Sequence, residues 1–145
     1  MSTPVSEFPA ASPAETLARF QGRFRFETDC ADVHAGLAEG ADFVVVDTRS
    51  AGAFRQGHVP GAVNIPHRTM TAERLDGYPK ETLFVVYCSG PHCNGAARAA
   101  VRLASLGYRV KEMIGGITGW LDEAFALEEG SGEEQVAPSK VACGC

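Results

Sequence analysis

The chain has 145 residues, 45% apolar and 21% charged, which suits one domain with a real core. Its net charge of −5 disfavours nucleic acid or an anionic membrane as partner, and no apolar run approaches the roughly 20 residues that span a bilayer. Five cysteines at irregular spacing, with no secretory signal, favour free thiols in a reducing compartment, so a cytoplasmic location is expected.

Residues 1–11 are Pro-, Ser- and Ala-rich and are expected to be disordered. A domain is expected over 12–129, with 12–22 as a helical N-terminal extension. Ser12 caps that helix, Pro13 suits its first position and Glu15 completes a capping box. The helix is expected to stop near Phe20, broken by Gly22. Arg23 to Glu27 alternates polar and aromatic residues and reads as an edge strand. Thr28 or Asp29 caps a short helix through Ala38, ended by Gly40. Cys30 and His34 are four residues apart on it. Without a further ligand nearby, packing is the expected role rather than metal binding.

Asp42 to Thr48 (DFVVVDT) reads as a buried strand. It ends in Asp47-Thr48-Arg49, at the strand edge where α/β proteins bind ligands. Asp47 is expected to form a structural ion pair, because a bare carboxylate would repel an anionic ligand. Arg49 either anchors the following loop or lends positive charge to a pocket. Ser50 caps a short helix to about Gln56. The turn Val59-Pro60-Gly61 is tight, with His58 beside it as a structural hydrogen-bonder. Ala62 to Ile65 is a short strand, and Thr71 opens a short helix ending at Gly77.

The most informative stretch runs from Leu83 to Leu106. LFVVYC is a β-branched and aromatic run suited to a buried parallel strand. SGPHCNG is a loop, and AARAAVRLASL is a helix with Ala96, Ala100, Leu103 and Gly107 on one face. Gly107 stops the helix, and Asn94 is its expected N-cap. Cys88 thus stands where a buried strand meets a Gly-rich loop and a helix N-terminus. Unpaired N–H groups there form an anion nest and carry partial positive charge. Thiols in such fields have pKa values of about 3.5–7.5. Cys88 is therefore the candidate thiolate nucleophile, against the simpler reading of a small core residue. Tyr108 to Met113 is the last strand. Gly115-Gly116 permits close backbone approach, and Ile117 to about Leu127 is an amphipathic helix with Ile117, Trp120, Leu121 and Ala124 on one face. Residues 130–145 form a tail expected to be flexible, ending Cys143-Gly144-Cys145. From Glu128 to the end, four glutamates face one lysine, a net of −3 that leaves −2 for the rest.

Three segments carry a resemblance. DTRSAGAFRQGHVPGAVNIP resembles the front signature of the rhodanese domain. VVYCSG, with its alanine-rich helix ending LGY, resembles the family's active-site strand, loop and helix. MIGGITGW resembles its closing signature. The match spans about residues 25–125 in the family's order. It implies an α/β fold, a central parallel five-stranded sheet with helices on both faces. It implies a sulfurtransferase that moves a sulfane sulfur from a small anionic donor such as thiosulfate, through a Cys88 persulfide, to cyanide, a small thiol or a thiol protein. Neither metal nor organic cofactor is implied. Ser89, Gly90, His92, Cys93, Asn94, Gly95 and Arg49 are the expected substrate-binding residues around Cys88.

The loop departs from the family pattern. Many members place a basic residue soon after the cysteine, whereas Ser89 to Gly95 contains no Lys or Arg and is about two residues longer. The length is similar to that of the phosphatase and arsenate-reductase relatives, but Asn94 and Gly95 cannot replace their forked arginine. His92, when protonated, can supply the missing charge. Cys93 either resolves an oxidised Cys88 as a disulfide or packs under the loop. Zinc on Cys88, His92 and Cys93 is the least favoured reading, since a fourth ligand is missing. The terminal Cys143 and Cys145 are either a sulfur-accepting dithiol or an incidental feature of the terminus, the latter being expected. Two alternatives to sulfur transfer stand: a thiol-disulfide or oxyanion reductase using Cys88 with Cys93, and a non-catalytic sulfur-sensing or partner-binding module.

Overall fold

The computed structural model describes residues 1–130; the expectations for the tail, including Cys143 and Cys145, lie outside the described residues. Five parallel strands form one sheet in the order β1-β5-β4-β2-β3. They are β1 (Glu27–Thr28), β2 (Val44–Asp47), β3 (Val63–Asn64), β4 (Leu83–Tyr87) and β5 (Arg109–Met113). Val85, Val86 and Tyr87 of the central β4 are buried, as the unbroken apolar run requires of a strand covered on both faces. The helices are α1 (Pro13–Phe26), α2 (Cys30–Ala38), α3 (Ala51–Gln56), α4 (Ala72–Leu75), α5 (Gly95–Ser105) and α6 (Gly116–Asp122).

Alternation along the strands divides the core in two. Phe84, Val86 and Cys88 pack with Leu75 of α4 and with Ala96, Ala99 and Leu103 of α5. Val85 and Tyr87 pack on the other face with Val33 of α2, Phe54 of α3 and Trp120 of α6. All five strands point the same way, so Cys88 and the ends of β1, β2 and β5 share one rim.

Three elements depart most from the sequence expectation. The first helix does not stop at Phe20. It runs through Gly22 to Phe26, and the expected Arg23–Glu27 edge strand shrinks to Glu27–Thr28. A mid-helix glycine costs only about 1 kcal/mol, and a 2.9 Å Arg23–Glu27 ion pair at i,i+4 supports the last turn. At the other end, α6 stops at Asp122 rather than near Leu127. Ala124 takes a positive φ of 60°, so the chain turns back. Trp120 Nε1 then donates to the Ala126 carbonyl at 2.9 Å, while Leu121 is exposed. The expected caps Ser12, Asp29, Ser50 and Thr71 each accept from an amide three residues on. Residues 1–11 are exposed, with a Thr3–Ser6 turn.

Candidate active site

Cys88 follows the last residue of β4 and is 3% exposed. The next backbone is held from the far side by the start of α6. Ile117 N donates to the Cys88 carbonyl at 3.1 Å, and Thr118 N donates to the Ser89 carbonyl at 3.0 Å. Gly116, at φ +57°, lies so close that a Cβ there would collide with the Cys88 carbonyl oxygen. Cys93 N closes the turn on the Gly90 carbonyl at 3.1 Å.

Asn94 takes the N-cap position of α5 but its side chain does not cap. Its Oδ1 accepts from Arg98 Nε at 3.2 Å instead. The first-turn amides of α5 are therefore not answered by Asn94, and Gly95 N points at Cys93 Sγ at 3.4 Å. The N-terminus of α5 thus has no side-chain cap from Asn94.

A cleft of about 490 Å³ opens on Cys88. Gly90, Pro91, Cys93 and Ala96 form one wall, and Met113 to Gly116 the other. Arg23, Glu27 and Glu112 complete it from α1, β1 and β5. Each of Cys88 and Cys93 is disulfide-bonded, so nucleophilic chemistry at Cys88 belongs to the reduced protein.

Only Gly90 and Cys93 of the expected binding residues line this cleft with Cys88. Ser89, His92 and Arg49 line a second cleft on the other side of the loop, with Thr118 and Leu127. Asn94 is exposed and Gly95 is buried beneath the loop. Arg49 is held in place by buried polar contacts. Its guanidinium grips both Asp47 oxygens, with Nη2 to Oδ2 at 2.7 Å, and donates to the Gly57 carbonyl at 2.6 Å. Tyr87 Oη donates to the same Asp47 Oδ2 at 2.7 Å. Asp47 is thus the structural ion-pair partner expected. Burial of the Tyr87 phenol, with the Asp47 charge beside it, drives its pKa well up. His58 is structural too, its Nδ1 2.7 Å from the Phe54 carbonyl.

Among the described residues, no cluster of His, Cys, Asp and Glu has the makings of a metal site. Cys30 packs under α6 with its thiol directed at the Ile114 and Gly116 carbonyls, and His34 stacks on Phe125. Sequence reasoning missed Arg23, Glu27 and Glu112. The strand order, in which β5 neighbours β4, brings the end of KEMIGG beside Cys88, and no local pattern in the sequence signals that order.

A rhodanese-like domain model matches residues 29–123. A protein named sulfurtransferase from Allochromatium vinosum is 32% identical over 96 residues, covering 65% of this chain and 86% of its own length. The HTH-type transcriptional regulator Rv0324 of Mycobacterium tuberculosis is 34% identical over 94 residues, 64% of this chain. The chain spans 41% of that regulator's length. Among solved structures, the BH2092 protein of Bacillus halodurans superposes with a TM-score of 0.78 at 38% identity, over 81% of this chain and 87% of that one. The thiosulfate sulfurtransferase of Pseudomonas aeruginosa shares the fold, with a TM-score of 0.64 at 20% identity over 76% of this chain and 21% of that one. With the strand order, the Cys88 loop and the Gly115-Gly116 closure in place, the chain belongs to the rhodanese-like domain family.

Proposed function

We propose that the protein is a sulfurtransferase in which Cys88 carries the transferred sulfur as a persulfide. The observation that carries this reading is the position of Cys88, at the end of a buried strand and facing the uncapped N-terminus of α5 across a Gly-rich turn. In the reduced protein this field favours the thiolate. The thiolate attacks the outer sulfur of a donor such as thiosulfate. A sulfur–sulfur bond forms, the donor's own sulfur–sulfur bond breaks, and sulfite leaves with the electron pair. Loop amides stabilise the charge on the donor oxygens. Cyanide, a small thiol or a thiol protein then takes the outer sulfur and releases the Cys88 thiolate. Gly90 and Cys93 line the cleft with Cys88, which supports them as the loop residues that contact donor and acceptor. Because Cys88 and Cys93 are disulfide-bonded in the structure, this chemistry requires a reducing setting such as the cytoplasm.

A second reading rests on Cys93, whose side chain lines the same cleft as Cys88. The pair would then cycle between dithiol and disulfide in a reductase. Intact mass of the reduced protein after brief exposure to thiosulfate separates the two. Gain of one sulfur atom by the wild type but not by Cys88→Ser, removed by cyanide as thiocyanate, is the expected result. No added sulfur, with a two-proton loss under mild oxidant that requires both Cys88 and Cys93, would replace sulfur transfer by the redox reading.

A further inference from the structure

The Cys88 cleft contains a carboxylate that the transfer chemistry above leaves unused. Glu112 of β5 stands in register with Val86 of β4 and with Glu27 of β1. Side chains two apart on a strand share a face, so Glu112 lies on the same side of the sheet as Val86 and Cys88. Packing agrees: Val86, Cys88 and Val110 belong to one core cluster. Strand spacing and rise put the Glu112 and Cys88 Cα atoms on the order of 8 Å apart, and both residues line the one cleft.

The charges around Glu112 come from two elements. Helix α1 contributes Arg23 and, on the flank toward α5, Arg19; β1 contributes Glu27. The α5 residues on that flank are uncharged, among them Ala97, Ala100 and Val101. Arg23 Nε is engaged by Glu27 Oε2 at 2.9 Å. The Glu112 carboxylate makes no hydrogen bond or ion pair with a described residue. Partial burial, and then the Glu27 charge, hold its carboxyl above the usual range, which makes the carboxylate a stronger base.

We infer that Glu112 is the general base of the second half-reaction, taking the proton from a thiol acceptor that enters the Cys88 cleft. The inference rests on the sulfurtransferase reading and adds the acceptor class, a thiol that arrives protonated. An acceptor R–SH gives its proton to a Glu112 carboxylate oxygen as its sulfur attacks the outer sulfur of Cys88–S–SH. The R–S–SH bond forms and the bond to Cys88 Sγ breaks, leaving its electron pair on the Cys88 thiolate. The products are a small persulfide, the Cys88 thiolate and protonated Glu112, which returns its proton to solvent. No outside oxidant or reductant is needed.

The test uses the reduced full chain, first loaded with polysulfide and checked for persulfide by intact mass. Single-turnover transfer is then timed for wild type, Glu112→Gln and Glu27→Gln. The acceptors are glutathione, protonated near neutral pH, and thionitrobenzoate, already ionised there. Glu112→Gln should load normally and discharge normally to thionitrobenzoate, yet lose about 100-fold with glutathione near neutral pH. Its acid limb in the glutathione pH profile should vanish. Glu27→Gln should move that limb to lower pH by removing the neighbouring charge. Equal glutathione rates for loaded wild type and loaded Glu112→Gln would overturn the inference while leaving sulfur transfer intact. Failure of wild-type Cys88 to load would overturn the sulfurtransferase reading itself, and this inference with it.

Discussion

The amide of Ile117 donates to the carbonyl of Cys88 at 3.1 Å, so the first turn of α6 holds the backbone of the candidate nucleophile. The contact exists because Gly116 brings no side chain against that carbonyl. A Cβ there would also lie 2.9 Å from Gly90 N, at a φ of +57°. Gly116→Ala is expected to lose about 1–3 kcal/mol of stability through the left-handed backbone and the collision. A shift near 1 Å in Cys88 is enough to slow persulfide formation by about 100-fold. Urea unfolding and thiosulfate:cyanide turnover measure both. A variant unchanged in both would show that the loop is not held from α6.

The buried Asp47–Arg49–Tyr87 network is expected to matter for stability. Asp47 has no exposed surface and Arg49 is 6% exposed, so removing either partner strands a buried charge. Asp47→Ala should cost about 3–5 kcal/mol by denaturant unfolding. Arg49→Lys keeps the charge but loses the fork onto both carboxylate oxygens, so it should be destabilised while its KM for thiosulfate stays at the wild-type value. A raised KM with normal stability would return Arg49 to substrate binding.

These two cases also show what the sequence can and cannot carry. The strand, loop and helix around Cys88 are contiguous in the chain, and local patterns encode them: an apolar run, two glycines, then a small-residue helical face. Asp47 and Arg49 were recognisable as a pair because they are two residues apart. The cleft's acidic wall was not recognisable, since Glu27 and Glu112 meet only through the β1–β5 register. Arg23 was hidden for a different reason. Gly22 reads locally as a helix stop, whereas the helix continues and carries Arg23 to the cleft. The early end of α6 accompanies the return of Phe125, which stacks on His34 and meets Trp120 edge-on, a contact made by tertiary packing.

Cys30 should be inert toward alkylation in the folded protein. Burial, and then the nearby Asp29, Glu123 and Asp122 charges, push its thiol up to about 11. Near pH 8 its thiolate fraction is then about one in a thousand. Iodoacetamide on the reduced native protein should leave Cys30 unmodified by peptide mapping and label it after denaturation. Rapid native labelling of Cys30 would contradict the packing of α2 under α6.

The last prediction concerns stability and pH at the Glu27–Glu112 pair. The folded state holds the Glu112 carboxyl above its ordinary range, chiefly by burial and then by Glu27. An acid raised in this way favours the fold while protonated, and that contribution disappears as pH rises through its folded pKa. Ionised Glu112 is therefore a liability near neutrality. Glu112→Gln should raise Tm relative to wild type at about pH 7, and the gain should shrink to nothing as pH falls below the ordinary carboxylate range, near about 4. Thermal unfolding of both proteins at the two pH values measures it. A lower Tm for Glu112→Gln at pH 7 would mean that the carboxylate is held by a favourable contact. If Glu112 is the base proposed above, the expected sign is stability gained where thiol transfer is lost, the trade-off of a partly buried carboxylate kept for chemistry.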